Sequence, residues 1–327
     1  MASNEEKLMP RAIAIFREKG QKALELAKRE IFREEVAFKP LSEALHYFIG
    51  EWQDVLHPAL LSLACEAVGG EPEMTIEVGA AIVLLAGGAD IHDDIIDEST
   101  VKGTEQTVYG KFGKDIAILA GDTLLFKGMQ LLHSACEKFP KDKSQLIMDI
   151  VKQAFFEVSS AEAKEASYRG RFDLSEQNYL DIISKKVAAG EASMRIGAII
   201  GNGTIEQIEL LGQYGRTCGI LMTIRDEFVD IFEIDELKNR VENECLPFPL
   251  MLALQNSPEK VRILHLLKGE LTEKEVEEIL EFVMKSPTTW KLKEYMKQKI
   301  AYATRLACAF KLKQTFSLIL NSTIEDI

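Results

Sequence analysis

The sequence predicts an all-α protein, one large helical bundle around a central apolar cavity, and three observations carry that prediction. Apolar residues recur at helical spacing through long segments, with no convincing alternating strand. Glycine and proline punctuate the boundaries of those segments. The segments share no fixed period of self-similarity, which argues against a helical repeat array and for a bundle. At 327 residues with 46% hydrophobic content the chain can bury a large core, and no linker divides it, so residues 1–327 are expected to form one domain.

The helices follow in order, with bounds good to about a turn. The first two span about 4–33 and 41–68, the second closed by Gly69 and Gly70 with Pro72 behind them. The third, about 73–98, ends ahead of Gly103. Gly110 and Gly113 mark the turn into a helix over about 114–138, and Pro140 separates it from one over about 143–168. Gly170 precedes a helix over about 175–200, which Gly201 and Gly203 end. A long helix over about 204–233 follows, then shorter ones over about 247–256 and 271–285. Pro287 breaks the pattern before the last, about 288–321.

Composition removes several function classes. The chain carries 52 Asp+Glu against 39 Lys+Arg, a formal charge of −13 with scattered basic residues, so it offers no basic face for nucleic acid. The five cysteines, Cys65, Cys136, Cys218, Cys245 and Cys308, show no Cys-x-x-Cys spacing and read as reduced core residues. The start MASNEEKLMPRAIAIF lacks the regions of a signal peptide, and no apolar run reaches the ~20 residues of a membrane span. A cytoplasmic protein is expected.

The chemistry is concentrated in two acidic clusters set in apolar helical context. Asp93, Asp94 and Asp97 lie in GADIHDDIIDEST, and Asp226, Glu227 and Asp230 lie in MTIRDEFVDIFE. Residues four apart share a helix face, so Asp93 points with Asp97 and Asp226 with Asp230. Acidic pairs at this spacing are commonly solvated faces in an acidic chain. Here apolar runs precede both clusters, and buried carboxylates require a partner. Facing each other across a cavity, the two sets would make an oxygen-lined site for a hard cation, with Mg²⁺ shared between carboxylates and a substrate diphosphate. Small residues Gly88 and Ala89 lie next to the first cluster, where they either leave room for a substrate or permit close helix packing. His92 reads as packed or hydrogen-bonded rather than as a ligand.

The chain resembles the trans-isoprenyl diphosphate synthases over roughly residues 30–255, most closely at IHDDIIDEST, GKDIAILAGDTLL, Tyr179 with ISKKVAA, and GRTCGILMTIRDEFVD. The resemblance implies the isoprenoid synthase fold, an allylic isoprenoid diphosphate as substrate and a homodimer. It also implies about three Mg²⁺ held by the two aspartate-rich motifs, here Asp93, Asp94 and Asp97 with Asp226 and Asp230. Glu227 stands where the family has aspartate, keeping the charge on a longer arm. Lys186, in the family's Lys-Thr position, and Lys102 are implied to approach the diphosphate, with Lys238 reaching from the following loop. Thr223 replaces the family glutamine as a substrate contact, and Arg225 is expected to brace the metal carboxylates from outside.

The departures gather on the acceptor side. Where the family reads GGKRLRP, whose lysine and arginines bind isopentenyl diphosphate, this chain has Asp54, Val55 and His57. Val101, Lys102 and Gly103 stand for Arg-Arg-Gly, the loop after the second motif is shorter, and its Gly-Lys is replaced around Glu244 and Cys245. Each lost charge-assisted phosphate contact is worth ~1.5–3 kcal/mol, and a carboxylate beside a phosphate repels it. Three readings follow: a prenyl elongase with a relocated acceptor site, a cyclase or a prenyltransferase to a non-diphosphate acceptor, and a non-catalytic subunit of a heteromeric synthase. Prenyl transfer with the acceptor open is the reading best supported by two complete metal motifs.

Overall fold

The computed structural model describes residues 7–255, 257–269, 271–325 and 327. They form an all-α assembly. Helices α1 (Leu8–Phe32), α2 (Lys39–Glu51) and α3 (Leu56–Ala67) lead through a 3-10 turn, Pro72–Thr75, into α4 (Ile76–Ile96). A two-residue ladder, β1 (Val101–Lys102) with β2 (Glu105–Gln106), and the short α5 (Val108–Phe112) connect it to α6 (Lys114–Cys136). Next come α7 (Lys141–Ala166), α8 (Glu176–Lys186), α9 (Ala188–Ile200) and α10 (Ile205–Val229). The C-terminal part holds α11 (Ile234–Asn243), α12 (Phe248–Leu254), α13 (Lys260–Leu267), α14 (Glu273–Lys285), α15 (Pro287–Ala307) and α16 (Lys313–Ser322).

Local chemistry sets the starts. Thr204 and Gln207 form a reciprocal capping box on α10, Ser175 accepts from the Asn178 amide on α8, and proline occupies the first turn of α2, α12 and α15. Among expected helices, three are divided. The 41–68 segment breaks where Trp52 turns extended and stacks on Phe48, and Asp54 then accepts the Leu56 amide at 2.9 Å, satisfying a free donor of α3. The 175–200 segment breaks at Val187, whose branched side chain seats against Gly219 of α10. The 288–321 segment breaks between Ala307 and Lys313. Helices α5, α11 and α13 and the ladder were not expected, being too short to show a sustained period.

Helix α4 is the spine of the core. It packs on α6, α1 and α3, while α9 packs on α3, α7 and α10. Glycines let these backbones close: a Cβ on Gly197 of α9 would strike the Leu61 carbonyl of α3, and one on Gly121 of α6 would strike His92. Contrary to the expectation of no long apolar run, the Pro72–Ile96 stretch is long and apolar enough to cross a membrane by length and composition alone. Its most apolar 18-residue window is 61% buried within the bundle, as a core helix would be. Cys65, Cys136, Cys218 and Cys245 are buried free thiols, and Cys308 is exposed.

Candidate active site

Both acidic clusters sit at the C-terminal ends of helices. Asp93 and Asp94 occupy the last turn of α4 and Asp97 caps it, its amide bonded to the Asp93 carbonyl at 2.8 Å. Asp226 and Glu227 occupy the last turn of α10 and Asp230 caps that one, its amide bonded to the Asp226 carbonyl at 2.9 Å. A helix C-terminus carries partial negative charge, so each carboxylate is placed against the local field. Such an arrangement calls for cations.

Three side chains of the protein supply part of that positive charge. The ladder delivers Lys102, whose Nζ bonds Asp90 at 2.8 Å and lies 2.7 Å from Asp94 Oδ1 as an ion pair without hydrogen-bond alignment. Its turn requires Gly103 in the left-handed region, φ 60°. Lys186, at the end of α8, pairs with Glu165 at 2.6 Å and Glu162 at 3.1 Å, both on α7. Arg240 of α11 is buried, and its guanidinium binds Glu227 at 2.8 Å and Glu244 at 3.2 Å and lies 3.7 Å from Asp230.

Glu227 departs from its expected role as a metal ligand. It is buried, and its carboxylate accepts from the Tyr179 hydroxyl at 2.7 Å, the Phe248 amide at 2.8 Å and Arg240. Both oxygens are spoken for, so this residue fastens α8, α10, α11 and α12 together instead of facing the cavity. Arg240 was missed from sequence, although its i,i+4 spacing to Glu244 was a visible signal. Asp226 is two-thirds exposed and is held by Arg225 at 3.1 Å. His92 hydrogen-bonds the Ile118 carbonyl at 3.2 Å and lies 3.5 Å from Asp122, away from any ligand role.

The remaining carboxylates feel one another. Burial first, then the charges of Glu244 and Asp93, pushes Asp97 up to about 8. Burial and then Glu227 push Asp230 up to about 8, and burial outweighs Lys102 to bring Asp94 to about 7. Burial also raises Glu162 to about 8 and Glu244 to about 7. Glu165 goes the other way: burial opposes ionisation, but Lys186 and Arg240 hold it below the usual range. Lys186 lies far above its ordinary value, where burial is outweighed by Glu165, Glu162 and Asp93.

The residues fit a hard divalent cation. Asp93 Oδ1 is buried without a hydrogen-bond partner, and a carboxylate oxygen is the donor a hard cation prefers. Among the described residues no three His, Cys, Asp or Glu side chains form a metal-ligand group by themselves.

Beside the first cluster an apolar pocket runs between α4, α7 and α9, lined by Ala86, Ala89, Phe155, Ala189, Ala192 and Ile196 among others. Of the two small residues expected to face it, Ala89 does and Gly88 does not. A Cβ on Gly88 would meet the Gly121 carbonyl at 2.8 Å and Leu125 at 2.8 Å, so Gly88 serves the α4–α6 contact. Ala89→Phe is therefore the substitution expected to fill the pocket. With an apolar chain seated there, it should shift preference from a longer to a shorter chain by roughly tenfold, about 1.4 kcal/mol, in competition between two chain lengths. An unchanged preference would show that the tail lies elsewhere.

The other expected residues are dispersed. Thr223 is half-buried on α10, one turn before Asp226 and Glu227. Lys238 lines a separate groove between the 98–103 turn and α11, 4.0 Å from Asp235. On the acceptor side Asp54 and His57 pair with each other at 2.8 Å, and the Val55 carbonyl presses on Gly20 of α1.

Comparison with known proteins adds to this geometry. Residues 38–284 match the Polyprenyl synthetase family. The chain is 33% identical over 192 residues to a geranylgeranyl diphosphate synthase of Sulfolobus acidocaldarius, 58% of each chain. It is 31% identical over 240 residues to one of Methanosarcina mazei, 72% of this chain and 74% of that protein. The match thus spans well under two thirds of the Sulfolobus protein's length. Among solved structures, geranylgeranyl pyrophosphate synthetase from Pyrococcus horikoshii superposes with a TM-score of 0.86 at 24% identity, covering 97% of this chain and 99% of that one. The synthetase from Geoglobus acetivorans gives 0.83 at 21%, covering 95% and 99%.

Proposed function

Because the chain belongs to the polyprenyl synthetase family, we propose that it is a Mg²⁺-dependent prenyltransferase that ionises an allylic isoprenoid diphosphate and passes the prenyl group to an acceptor. The observation that supports this most is the coincidence of Asp93, with its unpartnered buried oxygen, and an apolar pocket one turn away at Ala89. Asp93, Asp94 and Asp97 from α4 with Asp226 and Asp230 from α10 would hold the metal. When bound, Mg²⁺ would neutralise the charge that builds on the departing diphosphate.

The chain's own residues account for the rest. Lys186 and Lys102 sit at the cluster as fixed cations and can donate to diphosphate oxygens. Lys102 is paired with Asp90 and Asp94, so a metal on Asp94 would release one of its contacts for the substrate, while Lys186 stays held by Glu162 and Glu165. Apolar side chains from α4, α7 and α9 receive the tail and exclude water from the cation left behind. We also propose a homodimer, supported by the exposed Leu119, Phe126 and Met129 of α6 and Phe155 and Phe156 of α7. A cytoplasmic location is the reading that the buried free thiols support.

The acceptor separates two readings. The names of the relatives favour elongation with isopentenyl diphosphate. Asp54 and His57 favour a different acceptor, since their pair stands where that diphosphate would need a cationic cradle. Pure protein given geranyl, farnesyl or geranylgeranyl diphosphate with Mg²⁺ should release diphosphate, with micromolar isopentenyl diphosphate scarcely accelerating it. The triple change Asp54→Lys, Val55→Arg and His57→Arg should raise that response at least about tenfold, worth ~1.4 kcal/mol of phosphate binding. A micromolar demand for isopentenyl diphosphate in the parent would establish an ordinary elongase.

A further inference from the structure

The loop between α2 and α3 holds an arrangement that the metal site does not use. His57 Nδ1 meets Asp54 Oδ2 at 2.8 Å, and the other Asp54 oxygen is fixed by the Leu56 amide at 2.9 Å. Among the described residues nothing hydrogen-bonds His57 Nε2. Two residues before Asp54, the Trp52 indole stacks on Phe48 and lies against Gly87 of α4, and its Nε1–H is buried without an acceptor. Gly87 is one turn from Asp90, whose carboxylate also feels the charge of Asp54, and Asp90 is joined through Lys102 to Asp94 of the first acidic cluster. The loop therefore faces the same end of α4 as the metal carboxylates.

A carboxylate fixing one imidazole nitrogen and leaving the other open is the arrangement of a general base. The orphan indole N–H needs an oxygen to accept it. A hydroxyl oxygen would satisfy the Trp52 N–H and a hydroxyl proton would suit His57 Nε2, whereas a carbon–carbon double bond supplies neither. Asp54 stands where an anionic acceptor would need a cation, and its own partner is His57.

We propose that Asp54 and His57 form a base dyad that takes the proton from an uncharged hydroxyl acceptor, with Trp52 holding the acceptor oxygen. This rests on the prenyltransferase reading above. In the transfer the C1–O bond to diphosphate breaks with its electron pair leaving on the diphosphate. A new C1–O bond forms to the acceptor oxygen, and the hydroxyl proton passes to His57 Nε2. Asp54 is the charged group acting on His57 and holds its imidazolium above the ordinary range against burial. The charges on neighbouring elements are engaged elsewhere, Asp90 with Lys102 and Lys19 of α1 with Glu66.

The test uses the full chain with Mg²⁺, geranylgeranyl diphosphate and 4-methylphenol as the hydroxyl probe, following diphosphate release and the prenyl ether by mass spectrometry. The parent should form the ether at a rate that rises with pH as His57 loses its proton. His57→Gln should lower ether formation at least about tenfold, ~1.4 kcal/mol in the barrier. Asp54→Asn should move the rise to lower pH, and an imidazole NMR titration of His57 in that variant should move with it; this measurement does not depend on turnover. Ether formation equal in parent and His57→Gln, or prenyl alcohol as the sole product, would overturn the dyad while leaving the ionisation reading intact. Absence of any diphosphate release from the parent would overturn the ionisation reading itself, and the dyad with it.

Discussion

Asp93→Ala and Asp97→Ala should each lower Mg²⁺-dependent diphosphate release by at least ~100-fold, about 2.7 kcal/mol in the barrier. Asp226→Ala should do the same from the opposite helix, and chelation should reproduce all three. Binding can be read without turnover. Asp97 and Asp230 titrate near 8 and Asp94 near 7, all above the ordinary aspartate value of 3.8. The folded protein thus holds protons that the unfolded chain has released, and these groups reduce stability as pH rises from about 4 to 8. Mg²⁺ binds the ionised form, so it should raise the unfolding midpoint more at about pH 8.5 than at about pH 6.5. An equal shift at both pH values, or full release activity in Asp93→Ala, would remove the metal from these carboxylates.

Arg240→Leu is expected to give the largest loss of stability. Arg240 and Glu227 are both buried, and removing one partner of a buried pair costs about 3–5 kcal/mol because the other charge remains without compensation. Glu227 would keep the Tyr179 hydroxyl and the Phe248 amide, which hydrogen-bond its carboxylate but bring no positive charge. The unfolding midpoint should fall by roughly 4–7 °C. Adding Glu227→Gln should restore at least half of that fall, since the neutral amide no longer needs the guanidinium. A single variant that melts with the parent would show the network to be dispensable.

Much of this was legible because the fold is written in long periodic segments. The two motifs announced themselves as carboxylates placed four apart in apolar helices, and α4 and α10 do carry them. Pairing was not legible. Nothing local distinguishes Glu227, turned inward onto Arg240, from Asp226, which is largely exposed, since the two are adjacent and equally charged. Gly88 and Ala89 presented the same difficulty: a helix turns about 100° between neighbours, so one met Gly121 and the other the pocket. The Asp54 and His57 substitutions were visible as a loss of positive charge, while their pairing with each other required the α2–α3 break that the apolar pattern concealed.

Helix α4 carries a consequence for how the chain is made. Before α1, α3 and α6 cover it, the stretch from Pro72 to Ile96 exposes a segment that a lipid bilayer would accept by length and hydropathy. Its final turns hold Asp90, Asp93 and Asp94, with Asp97 just beyond. An aspartate deep in a bilayer costs about 2.5–3.5 kcal/mol on insertion scales, and the penalty shrinks toward the interface. The acidic tail thus discourages the nascent helix from entering lipid during the interval before α6 emerges and the bundle closes over it. Replacing those aspartates with apolar residues would alter partitioning at synthesis as well as chemistry in the finished molecule.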